Sequence, residues 1–213
     1  RAVGFDREMK VWTAKDLKAF LVAERDGDLY PLWLTMGTTG MRRGEALGLT
    51  WEDLDLEAGR LSIKKTRIMN GYETLLSTPK TKKGRRMLAL DPTTTAALTK
   101  LRTQQITQSL RRGVPWEDTQ PVFATDEGVP YHPERVSKLF AKGAKKAGLP
   151  IIRLHDLRHT YATLALVSGI HPKVVSERLG HANIGITLDC YSHCLPSLSE
   201  EAASQVAALV VPD

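Results

Sequence analysis

The chain has 213 residues, 42% apolar and 25% charged, which suffices for one sizeable core, and no apolar run approaches the ~18 residues of a membrane span. Two cysteines make no disulfide framework and no secretory pattern opens the chain, so a reducing, cytoplasmic protein is expected, and the start at Arg1 reads as a fragment of something longer. The net charge of +6 is uneven: nine basic residues and one acid, Glu73, lie between positions 60 and 90, so that stretch carries +8 and the remainder −2. Positive charge focused this way fits either a polyanion partner or a solvated, lysine-rich hairpin.

In chain order, TAKD (13–16) fits a capping pattern, and Leu17, Phe20 and Leu21 give a helical apolar stripe. A second helix is expected over 29–36. Gly40 can end it, and a short helix over 42–47 follows. From Trp51 to Leu90 the texture changes to short strands with turn signals at 57–60, 70–71 and 81–84. LSIKKTRI (61–68) and RRMLAL (85–90) read as strands of a small antiparallel sheet that carries the basic residues. Asp91-Pro92 opens a helix that runs to about Arg112. Further helices are expected over 133–147, 156–168, 172–179 and 187–193, with glycine stops at 148, 169 and 180. A last apolar helix is expected over 197–210. The prediction is a mostly α domain with one small antiparallel sheet (α+β). It is taken as a single unit over 1–213, with a core of about 11–195 and a tail of 196–213.

Several motifs carry chemistry. In HDLRH (155–159), His155 and Arg158 are three apart and share a helix face. Arginine suits bidentate contact with phosphate or carboxylate, although an isolated pair of this kind is also an ordinary surface ion pair. Asp156 reads as a helix N-terminal residue. In GMRRGE (40–45), Glu45 is three residues from Arg42 and can hold its guanidinium in one orientation; alone, this is a common helical salt bridge. In STPKTKKGRR (77–86), Lys80 stands just before a turn, and the other cations could bind a DNA backbone. Near the end, His181, Cys190, His193 and Cys194 suggest a metal, but no C-x2-C pair exists and the spacing matches no common zinc pattern. Tyr191 alone would read as a buried aromatic.

The constellation is more specific than its parts. TGMRRGE (39–45), PKT (79–81), HDLRHTYAT (155–163) and LGH (179–181) followed by Tyr191 stand in the order found in the tyrosine recombinase (phage integrase) family. The chain resembles that family's catalytic domain from about residue 11 onward. The resemblance implies the tyrosine recombinase catalytic-domain fold and a site-specific DNA recombinase that needs no cofactor, metal or ATP. It implies that Tyr191 attacks a DNA phosphodiester, that Arg42 and Arg158 bind the scissile phosphate, and that Lys80 is the general acid. His155 and His181 complete the site, with Glu45 in support. His155 is a candidate base; His181 is its rival, or a donor to the phosphate. Expected DNA-backbone contacts are Lys64, Lys65, Arg67, Lys82, Lys83, Arg85 and Arg86.

The resemblance also implies partners and a setting. These are double-stranded DNA attachment sites, a homotetramer on DNA for the full-length protein, a monomeric fragment in solution, no membrane, and a prokaryotic cytoplasm. The family's N-terminal core-binding domain is absent from this fragment, so weak DNA binding is expected of it alone. A type IB topoisomerase would use the same chemistry, and a catalytically silent DNA-binding module is the reading from another class. The LGH-to-Tyr191 spacing favours a recombinase.

Overall fold

The computed structural model describes residues 10–70, 73–78 and 84–191, with backbone only at Asn70 and 189–191, and four further tail positions. The expected tail helix therefore lies largely outside the described residues.

Helix α1 (Ala14–Ala23) begins where the capping pattern places it. The Thr13 hydroxyl accepts from the Asp16 N–H, and the Asp16 carboxylate accepts from the Thr13 N–H at 3.0 Å. Helix α2 (Tyr30–Thr39) is buried nearly all round, which makes it the central element of the core, and it extends three residues beyond the expected end. Gly40 stops it with φ +65°. A single turn, α3 (Arg43–Ala46), follows.

The strand region divides into two sheets. Strands β1 (Leu54–Asp55), β2 (Arg60–Ile63) and β5 (Arg86–Ala89) form one antiparallel sheet, with Leu61 opposite both Leu54 and Leu88. Strands β3 (Thr66–Asn70) and β4 (Glu73–Ser77) form a separate two-stranded ribbon in which Thr66 faces Ser77. The single strand expected over 61–68 thus breaks at Lys64-Lys65. The reason lies in pairing: the first half buries Leu61 and Ile63 against the core, whereas the second half pairs locally with β4, which the sequence reading did not name as a strand.

Four helices complete the array: α4 (Pro92–Arg111), capped by Asp91, then α5 (Pro133–Lys146), α6 (Asp156–Val167) and α7 (Pro172–Leu179). A fifth, α8 (Ile184–Tyr191), starts three residues before its expected position. An aromatic cluster locks α1, α2 and α5 together, with ring centroids 5.0 Å apart for Phe20–Phe140, 5.2 Å for Trp12–Phe20 and 5.6 Å for Trp33–Phe140. The Trp12 N–H donates to the Thr160 hydroxyl, which fastens the segment just before α1 to α6. A smaller cluster of Ala162, Ala165, Leu166, Val175 and Leu179 holds α6 against α7. These two cores fix three places relative to one another: the end of α2, the start of α6 and the end of α7. Among the described residues no helix is long and apolar enough to cross a membrane.

Candidate active site

The site begins with Gly40. A Cβ there would stand 2.4 Å from Tyr161 Cδ1 and 2.8 Å from Leu179 Cδ2, so only glycine lets the end of α2 abut α6 and α7. The Gly40 carbonyl accepts from Arg158 Nη1 at 3.0 Å, and the Leu179 carbonyl accepts from Arg158 Nη2 at 2.6 Å. Arg158 lies in the first turn of α6 and is 4% exposed. Its cation is therefore held by carbonyls at two helix C-terminal ends, where the backbone has acceptors to spare and partial negative charge.

A second arginine is held by a carboxylate. Glu45 accepts from the Arg42 N–H at 2.8 Å and from Arg42 Nη1 at 2.7 Å. It also accepts from both terminal nitrogens of Arg86, at 3.0 and 2.9 Å. Burial raises the Glu45 carboxyl, but the Arg86 hydrogen bonds and charge, then those of Arg42, outweigh it and leave its pKa below the ordinary range. Side-chain exposure separates the two arginines: Arg42 is 41% exposed and Arg86 8%. Arg42 opens to solvent; Arg86 faces inward.

Three histidines share this positive field. Burial lowers the pKa of His181 to about 4, helped by the charges of Arg158 and Arg42. His155 is lowered by burial and then by His159 and Arg158; its ring meets that of His159 edge-on at 5.3 Å. Burial lowers His159 as well. All three are neutral near pH 7 and can give or take a proton. His181 Nδ1 is 2.8 Å from the buried Thr187 hydroxyl on α8.

The structure thus brings Arg42, Glu45, Arg158 and His181 into one electrostatic cluster, with His155 beside it. Tyr191 is the last described residue of α8, and nothing of its side chain is described. Lys80, Lys82 and Lys83 lie outside the described residues, as do the side chain of Cys190 and all of His193 and Cys194. The remaining cations of the basic stretch have different surroundings. Lys64 pairs with the buried Asp53 at 3.0 Å, and Lys65 pairs with Glu52 at 3.0 Å. Arg67 donates to the Leu47 carbonyl and the Thr74 hydroxyl, while Arg85 is exposed. Arg86, also among the expected backbone contacts, is folded against Glu45 and lines the groove beside His181.

Sequence reasoning missed four side chains around this cluster: Arg43, Arg153, His159 and Thr187. A groove of about 640 Å³ runs past Arg42 and His155 and is lined by Arg43 and Arg153. Ser137 and the Pro133 carbonyl hold Arg43, and Asp156 holds Arg153 through both Nε and Nη2. A second groove of about 460 Å³ is lined by Arg85, Lys173 and His181. Fixed guanidinium donors beside neutral imidazoles suit an anion with several acceptor oxygens, and phosphate is the plainest case.

Known proteins similar to this chain cover most of its length. The sequence pattern of the phage integrase family matches residues 14–197. A tyrosine recombinase XerC-like protein of Caldanaerobacter subterraneus subsp. tengcongensis is 32% identical over 97% of the chain, and the ICEBs1 integrase of Bacillus subtilis is 27% identical over 96%. The chain spans 56% of the length of each. A Tn1549 transposon integrase, solved in complex with a circular intermediate DNA, superimposes with a TM-score of 0.76 over 94% of this chain and 68% of its own, at 23% identity.

Proposed function

Because the chain belongs to the phage integrase family, we propose that it is the catalytic part of a site-specific DNA recombinase that breaks and rejoins strands through a 3′-phosphotyrosine. The observation that carries this reading is that two guanidiniums, Arg42 held by the Glu45 carboxylate and Arg158 held by the Gly40 and Leu179 carbonyls, both act on one imidazole, His181. Two guanidiniums held by the fold offset the charge that gathers on the non-bridging oxygens in the transition state.

In this reading the Tyr191 oxygen attacks the phosphorus and its proton passes to a base, for which His155, neutral and beside the cluster, is suited. The bond to the 5′ oxygen breaks, and Lys80 protonates the departing alkoxide. His181 stays neutral and acts as a donor: in the tautomer protonated on Nε2, Nδ1 accepts from the Thr187 hydroxyl 2.8 Å away and Nε2 donates to a phosphate oxygen. A 5′-hydroxyl from a second strand reverses the step, so the bond energy is conserved without ATP. The groove with Arg43 and Arg153, together with Lys64, Lys65, Arg67 and Arg85, offers a path for the duplex backbone. The partner is double-stranded DNA at an attachment site, the working assembly a homotetramer, and the setting a prokaryotic cytoplasm.

The test is covalent capture. The chain and its intact gene product are incubated in EDTA with a randomised pool of nicked suicide duplexes, and denaturant-resistant adducts are sequenced. An adduct that Tyr191→Phe abolishes, with binding retained, is expected. Binding without any adduct from the intact product would move the assignment to a silent DNA-binding module. Relaxation of supercoils without a preferred site would move it to a topoisomerase.

A further inference from the structure

We propose that Arg86 is a positioning residue for this reaction: through Glu45 it sets the guanidinium of Arg42, and through the Arg178 carbonyl it sets the end of α7, so both phosphate-binding arms depend on one buried side chain. The inference rests on the recombinase reading above.

Arg86 is the first residue of β5, and its backbone is fixed by pairing with Ile63 on β2. From there its side chain reaches two other parts of the fold. Nη1 and Nη2 grip Glu45 as a fork, at 3.0 and 2.9 Å. Nε donates to the Arg178 carbonyl, and Nη1 also donates to the Gly84 carbonyl at 3.2 Å. Four donations to protein acceptors engage its Nε and both terminal nitrogens at once. The consecutive carbonyls Arg178 and Leu179 are taken by Arg86 and Arg158 in turn. The last turn of α7 is therefore tied down from β5 and from α6, and His181 follows two residues later.

Charge gives a second argument. Glu45 paired with Arg42 alone would form a neutral pair and cancel the charge that a phosphate needs. With Arg86 on the other side, the trio carries one net positive charge, and the exposed member, Arg42, can present it. A fork is also required in geometric terms. Lysine would supply the charge but could not hold both carboxylate oxygens and the α7 carbonyl at once.

The experiment uses the duplex recovered by covalent capture as its probe. Single-turnover cleavage is measured at saturating protein, and affinity is measured separately in a Tyr191→Phe background. Arg86→Gln is expected to slow cleavage about 100-fold while affinity stays within about threefold. Arg86→Lys is expected to recover part of the rate. Glu45→Gln combined with Arg86→Gln should be little slower than the slower single variant, because the route from Glu45 to Arg42 is already lost with Arg86. Three results would overturn the proposal: an unchanged rate, rate and affinity falling by the same factor, or full multiplicativity in the double variant. Should Arg86→Gln melt far below the parent, Arg86→Lys decides alone, and a parental rate in it overturns the proposal. Absence of any adduct from the parent protein removes both this inference and the recombinase reading. An adduct from the parent with a parental rate in Arg86→Gln removes the inference only.

Discussion

The buried guanidinium of Arg158 donates to the carbonyl of Leu179, the final residue of α7, at 2.6 Å. The same side chain holds Gly40 at the end of α2, so one cation joins two helix ends beside the site. Arg158→Lys keeps the charge but cannot span both carbonyls. One buried acceptor is left unpaired, at a cost of about 1–3 kcal/mol. A melting temperature lower by several degrees and cleavage slowed by at least about 100-fold are expected. Calorimetry and single-turnover kinetics on the captured duplex check both.

Gly40→Ala tests the close approach of the three helices. The new Cβ meets Tyr161 and Leu179 at distances no real Cβ adopts, on a backbone with φ +65°. A loss of more than about 2 kcal/mol is expected in denaturant unfolding. Gly169→Ala is the control: it shares the left-handed backbone, with φ +78°, but has nothing within 4 Å, so its cost should be nearer 1 kcal/mol.

Stability should fall on mild acidification. The folded pKa of His181, about 4, lies below the ordinary histidine value, so the unfolded chain binds its proton first. Its contribution is intact above about pH 6.5 and is lost progressively as the pH falls towards about 4. His155 and His159 act in the same direction. Because His181 is only partly buried, its share is on the order of 2 kcal/mol. Thermal melts between about pH 7 and pH 5 should show the loss, and His181→Gln should flatten the slope. A parental slope in that variant would show that His181 is not the group concerned.

DNA affinity should separate the cations by position. Arg43→Ala and Arg153→Ala remove cations from the groove beside Arg42, and each should weaken binding and lower the salt slope by about one. Arg102→Ala breaks a pair with Asp118 on the exposed side of α4 and should change neither quantity. Equal effects from all three would mean general attraction without a defined path.

Local rules made much of this fold legible. The Thr13 cap, the glycine stops and Asp91-Pro92 act within a few residues, and each falls where it was read. The motifs around Gly40, Arg42, Glu45, Arg158 and His181 named side chains that the structure does bring together. Features that depend on distant partners were not legible. Charge counting groups Arg86 with surface lysines, because burial against a carboxylate 41 positions earlier leaves no mark on its neighbours in sequence. Alternation over 61–68 shows strand but not which strand pairs with it, so the break at Lys64-Lys65 was hidden. Thr187 looks like any helical threonine until His181 is seen beside it.

The two glycines flanking the exit from α3 have a mechanical meaning. A Cβ at Gly44 would fall 2.7 Å from the Arg67 carbonyl oxygen, and one at Gly48 would fall 3.0 Å from Thr66 Cα. The β3–β4 ribbon therefore rests closely on the one-turn segment that begins beside Arg42, with its backbone and the Thr66 hydroxyl against Gly44. A lever mounted this closely has little slack. A tilt of the ribbon is therefore passed on to the segment beside Arg42.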